Sequence, residues 1–437
     1  MKIKDASKRK EEQGQTIALV ALSLVALVGL AALAIDVSSL YVSKNEAQSA
    51  ADAAALAGAR MFSSSSFVSR PTVFNESDLC VSGNPGSGAA VNQQAMATAN
   101  QNSISNRTAA ITDINCVFAT GNPQVTVTVK QDNIKTFFSR LWNSGNTSVS
   151  AKATAEAYNA SGQTVPVQVV GAKPWALANC DQGNTTGTPN PNCPGFSVFV
   201  KNDGSLENGG AFIGEVIPLA KVGSGDTPTA DSFYPLNFGP TATSCPRFGG
   251  PVCTSDASYR DDIQCSSPVQ LTCGKSIGAG GTSILGSGYG AETIGATKCL
   301  IHADADNSLN AGQDRFAPTG GSAPITIAAG AHNPNSSLAG QTNISRSDSI
   351  VTVPLFNGAN LCPSPTGPCT GSTTIIGFMQ LGIRQTCTNP AACLSAKAGQ
   401  TTSMEAVILN AVGCSSTTAA VSGGGGSSPI AVRLINP

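Results

Sequence analysis

The chain holds 437 residues, enough for two domains and a sizeable core, and its formal net charge is −1. That balance excludes the basic footprint of a nucleic-acid binder or of a protein held to acidic lipid by a polybasic surface. Only 12% of residues are charged, against 46 glycines and 25 prolines, a weakly charged, loop-rich composition that suits an exported protein better than a cytosolic enzyme.

Lys2, Lys4, Lys8, Arg9 and Lys10 make the start of the chain basic, and residues 1–15 are expected to be a cytoplasmic topology signal, disordered through residue 13. Residues 16–35 carry no charge, and Thr16 and Ser23 are their strongly polar side chains. Twenty residues at about 1.5 Å each span about 30 Å, the hydrocarbon thickness of a bilayer. The first charge beyond is Asp36. Positive charge before the apolar run predicts a single-pass helix with the N-terminus in the cytoplasm and the rest of the chain outside.

The apolar run continues into VSSLYVSKNEAQSAADAAALAGAR, free of Gly and Pro until Gly58 and dense in Ala, the best helix former. Lys44, Gln48, Asp52 and Arg60, at four- or eight-residue intervals, form one polar stripe. Leu40, Ala47, Ala51 and Ala54 form a small-residue face on which another helix could pack closely. One long helix is predicted, its lower half in the membrane and its upper half projecting.

The basic start, the Gly14-Gln15 entry, the Ala34-Ile35-Asp36 exit and the run Gln48-Ser-Ala-Ala-Asp52-Ala-Ala-Ala-Leu-Ala-Gly58 closely resemble the N-terminal segment of TadE/TadG-like proteins of the Tad (Flp) pilus-assembly system. The resemblance is firm over residues 9–62 and weaker to about residue 157. It implies a bacterial inner-membrane protein, a pilin-like region, and other pilin-like or Tad assembly proteins as partners. Two features of related proteins are missing. A type IV prepilin site usually carries Glu five residues after its Gly, where this chain has Leu19 after Gly14. The Asp-x-Ser-x-Ser metal loop of a von Willebrand A-type domain fails at both Asp36-Val-Ser-Ser and Asp256-Ala-Ser-Tyr.

Ser63–Ser66 breaks the helical pattern, and a loop through Cys80 and Gly83-Asn-Pro-Gly-Ser-Gly follows. An Ala-rich second helix is predicted over 89–102, and half-buried strands over 125–130 and 149–157, where apolar and polar residues alternate. Between them Ile134, Phe137, Phe138, Leu141 and Trp142 follow the spacing of an amphipathic helix, with the Phe pair read as core. Residues 36–160 thus make a pilin-like α+β region of long helix, small sheet and short helix.

From 161 to 437 short strands alternate with Gly/Pro/Asn/Ser-rich loops, and the candidates are 164–171, 196–202, 211–218, 349–356, 374–384, 404–412 and 429–435. Gly423–Gly426 reads as a flexible link to the last of them. The fold class expected is therefore α+β: a transmembrane helix running into a pilin-like unit, then a β-rich, disulfide-stapled extracytoplasmic domain. All fourteen cysteines lie between Cys80 and Cys414. The close pairs Cys180/Cys193, Cys245/Cys253, Cys265/Cys273, Cys362/Cys369 and Cys387/Cys393 suggest disulfides, many across short loops, and no Cys-x-x-Cys metal spacing occurs. Connectivity stays open.

His302 and His332 are the two histidines, and neither a His-Glu-x-x-His nor a Gly-x-Ser-x-Gly motif is present. Gly274-Lys-Ser has Val269 where a phosphate loop needs its first Gly. Asp304, Asp306, Ser308, Asn310 and Asp314 alternate as calcium ligands could. The Gly and final Glu of such a loop are missing, though, and Asx turns explain the pattern equally simply. No catalytic, cofactor-binding or metal residue is assigned, and no small-molecule substrate or nucleic acid is implied. The expectation is a non-enzymatic, membrane-anchored component of Tad/Flp-type pilus assembly. The alternative is an extracytoplasmic adhesin, binding protein or enzyme that uses the helix only for export, either anchored or released after Ala32-Leu33-Ala34.

Overall fold

Without a proline and with Ala, Leu, Lys, Glu and Gln in abundance, residues 4–64 form a single helix, α1 (Lys4–Ser64), in the computed structural model. The structure describes residues 4–70, 75–119, 122–134, 136, 147–159, 168–181, 183–222, 228, 232–239, 253, 258–265, 267–286, 289–303, 312–317, 324–364, 369–387, 403–414 and 430–435. The helix extends back through Lys4–Gln13, where disorder was expected, because the charged residues there are themselves good helix formers and no breaker intervenes. At about 1.5 Å per residue, its 61 residues run about 90 Å.

The first unit continues with α2 (Glu76–Leu79), α3 (Ala90–Asn100), the two-residue strands β1 (Ser103–Ile104) and β2 (Arg107–Thr108), then β3 (Ala110–Val117), β4 (Gln124–Ile134) and β5 (Thr147–Asn159). β3, β4 and β5 are antiparallel neighbours. The alternation read at 125–130 and 149–157 is that of a sheet covered on one face: Val125, Val127 and Val129 are buried while Thr126 and Thr128 between them are half-buried. Ala151, Ala153, Ala155 and Ala157 face the same core as Ala47, Ala50, Ala51, Ala54 and Ala55 of α1. Gly58 sits where the helix comes closest, since a Cβ there would lie 3.3 Å from methyls of both Val91 and Val125. Ile134 ends a strand rather than starting the amphipathic helix expected from it. Phe137, Phe138, Leu141 and Trp142 lie outside the described residues.

The second unit supplies β6 (Gln168–Val170), β7 (Trp175–Ala178), β8 (Val216–Lys221), β9 (Ser232–Pro235), α4 (Ser258–Gln264), β10 (Gln270–Thr272), β11 (Ser276–Gly278), α5 (Gly290–Leu300), β12 (Arg315–Ala317), β13 (Thr326–Ala328), β14 (Ile350–Phe356), β15 (Ser372–Thr374), β16 (Gly377–Cys387) and β17 (Ser403–Gly413). Six of these strands close a barrel in the order β14-β16-β17-β8-β9-β7, with parallel pairing at β14/β7 and β8/β9 and antiparallel pairing elsewhere. Met379, Leu381 and Ile383 join Val351, Val353, Leu355, Ala406 and Ile408 in one core. Their alternates belong to others: Phe378 and Val412 pack with Tyr234 and Phe356, while Val407 and Leu409 pack with Phe316 and Ile327. β16 and β17 are thus buried on both faces, which is why their sequences are continuous apolar runs rather than alternating ones.

The candidates at 349–356, 374–384 and 404–412 are β14, β16 and β17. Part of 164–171 is β6. Residues 196–202 make isolated bridges through Ser197 and Val200, and 211–214 is a turn leading into β8. The strand expected at 429–435 forms as β18 (Ile430–Ile435), and its partner is β5. The sheet beneath α1 is therefore β18-β5-β4-β3, closed at one edge by residues some 270 positions downstream of β5.

The disulfides are Cys80–Cys116, Cys180–Cys193, Cys253–Cys299, Cys273–Cys414 and Cys362–Cys369, and Cys265 and Cys387 are also oxidised. Among the described residues, the close pairs Cys180/Cys193 and Cys362/Cys369 are bonded as neighbours. Cys253 and Cys273 instead reach across 46 and 141 positions, so the short-loop reading fails for Cys245/Cys253 and Cys265/Cys273.

Candidate functional site

Among the described residues, the lower part of α1 carries the largest run of exposed apolar side chains. Ile17, Leu22, Leu30 and Tyr41 are 71%, 69%, 65% and 68% exposed, and Val37 and Val42 are exposed as well. Along 16–42 the buried side chains are Ala32 and Asp36, both on the side that continues upward into Ser43 and Ala47. Water would oppose such an apolar cylinder, whereas a bilayer accepts it. Among the described residues this is the one helix long and apolar enough to cross a membrane.

Above residue 42 the helix changes solvent. Ser43 Oγ lies 2.6 Å from Ser105 Oγ, and Glu46 Oε2 accepts from the Ser105 amide at 2.8 Å. Lys44 Nζ donates to the Ser150 carbonyl, and Gln48 Nε2 donates to Asp52 Oδ1 at 2.8 Å and to the Lys152 carbonyl at 3.2 Å. Three of the four residues of the polar stripe therefore line the β5 side of the helix, while Arg60 is exposed. The small-residue face is spent within the chain. Ala47, Ala51 and Ala54 are fully buried in the core shared with β4, β5 and α3, and Leu40 packs on its margin. A second helix can reach α1 along the exposed stretch below, and not along this alanine face.

The top of α1 meets the barrel. Ser63, Ser64, Ser65, Ser66 and Ser69 are all buried, an unusual run of hydroxyls for a core. Asn410, at the middle of β17, organises them: its Nδ2 donates to the Ser63 carbonyl at 2.8 Å and to Gln380 Oε1 at 2.6 Å, and its Oδ1 accepts from Ser69 Oγ at 3.0 Å. Arg70 donates to the Ile213 carbonyl, and the Ile325 amide donates to Ser65 O at 3.4 Å. Glu215 lies beside Arg70, and Asp181 lies beside Glu215. Burial, and then the charge of Asp181, push Glu215 up to about 7, with Arg70 acting in the opposite direction. Burial likewise pushes Asp181 up to about 6. By local pattern Ser63–Ser66 is only a break in the helix. Nothing local marks Asn410, whose partners Ser63 and Ser69 lie more than 340 positions away.

Several polar groups singled out in the sequence are held in hydrogen bonds and ion pairs. Asp314 accepts from the Gly330 amide at 2.8 Å, from Asn333 Nδ2 at 3.1 and 3.2 Å, and from Ser347 Oγ at 2.5 Å, so its carboxylate organises the 330–347 loop. Asp304, Asp306, Ser308 and Asn310 lie outside the described residues. His302 Nε2 and Asp348 Oδ2 are 3.0 Å apart, and His332 Nδ1 faces the His302 carbonyl at 3.2 Å. Lys173 is buried and donates to the Cys265 carbonyl at 2.6 Å. Burial lowers its pKa to about 8 against the opposing charges of Asp348 and Asp262. Among the described residues no three His, Cys, Asp or Glu side chains are placed to hold a metal ion.

No curated protein and no solved structure matches the chain. Residues 14–61, which span the exposed apolar stretch of α1 and its buried alanine face, match the family described as "Putative Flp pilus-assembly TadE/G-like".

Proposed function

We propose that the protein is a membrane-anchored, non-enzymatic component of Flp pilus assembly, in which α1 fixes the chain in the inner membrane and holds the barrel above it for protein contacts. The observation that carries this reading is the exposed apolar stretch from Ile17 to Val42 inside the TadE/G-like match. Lys2, Lys4, Lys8, Arg9 and Lys10 put the N-terminus on the cytoplasmic side. The disulfides suit an oxidising compartment for everything above α1.

The physical role is that of a spacer and presenter. Residues 36–64 rise about 43 Å. Because the upper helix is packed on its own sheet and ends in the Asn410 network, motion of the anchor is transmitted to the barrel rather than lost in a linker. Since the alanine face is covered, partner helices meet α1 within the bilayer, around Leu27 and Leu30, and other assembly proteins meet the outer unit. The test is affinity capture of the full-length protein from solubilised envelope of its host. Co-purification of pilus-assembly proteins, lost when Leu27 and Leu30 are replaced by bulkier Phe without loss of membrane location, is the expected result. Recovery from the culture medium without such partners would favour a released binding protein.

A further inference from the structure

We draw no further inference here: the strongest candidate, the carboxyl cluster of Asp181, Glu207 and Glu215 where the barrel meets the top of α1, is an acidic cluster with no second observation that points to a ligand, since Lys201 already faces Glu207 at 3.8 Å.

Discussion

The side-chain amide of Asn410 donates to the carbonyl oxygen of Ser63 at 2.8 Å, which fastens the last turn of the long helix to the middle of a barrel strand. The same side chain serves Ser69 and Gln380, so all three groups lose a buried partner at once if it is removed. Asn410→Ala is therefore expected to destabilise the protein by roughly 2–3 kcal/mol, the cost of unsatisfied buried polar groups rather than of one hydrogen bond. Thermal unfolding checks the magnitude. Faster proteolysis between residues 63 and 70 checks that the joint is what opens.

Gly58 tests the contact between helix and sheet. Alanine there meets valine methyls at 3.3 Å, and its gain in helix propensity of about 1 kcal/mol offsets the crowding, so Gly58→Ala is expected to be nearly neutral. Gly58→Val adds two carbons against Val91 and Val125 and is expected to cost roughly 1–3 kcal/mol by chemical denaturation.

Asp181 and Glu215 give the joint a pH dependence. Both carboxyls are raised, to about 6 and about 7, so the folded state holds protons that the unfolded chain has already released. Their contribution is fully present in acid and is lost as pH rises from the ordinary carboxyl range through about 7. Glu215→Gln is expected to flatten that decline and to raise stability at pH 8 by roughly 1 kcal/mol, a figure discounted because Glu215 is only half-buried. Unfolding curves of both proteins at several pH values decide it. A wild-type stability that rises from pH 5 to 8 would contradict the assignment.

The disulfides differ in what they contribute. By the chain-entropy relation, cross-linking residues 141 apart is worth about 5 kcal/mol and residues 7 apart about 2.5. Replacing Cys273 and Cys414 by Ser is expected to lower the melting temperature more than replacing Cys362 and Cys369. Non-reducing peptide mapping should return Cys253–Cys299 and Cys273–Cys414 rather than bonds within the neighbouring pairs.

What was legible in the sequence was what local pattern controls. The uncharged run over 16–35, the alanine-rich continuation and the alternating strands at 125–130 and 149–157 each carry a period of 3.6 or 2, and each formed as read. The continuous apolar runs of β14, β16 and β17 were legible as strands, although their closure into a barrel depends on pairings such as β8 with β17 that no local signal encodes. β3, Ala110–Val117, was not recognised because at a sheet edge it buries few side chains and so lacks a clean alternation. The alanine face of α1 was visible as a packing surface. Its occupant was not, since a small-residue stripe looks the same beneath a sheet as beneath another helix. The partner of β18 and the role of Asn410 were illegible for the same reason: both are contacts between residues hundreds of positions apart.

The proposed function requires α1 to cross the membrane intact, with the folded body on the far side. Protease shaving of host spheroplasts producing the chain with an N-terminal epitope tag tests it most directly. The body is expected to be digested while a short tagged fragment, ending above residue 42, stays in the inner membrane and becomes digestible only after lysis. A tagged fragment that leaves the membrane, or a body that starts at Ile35 in the medium, would contradict it.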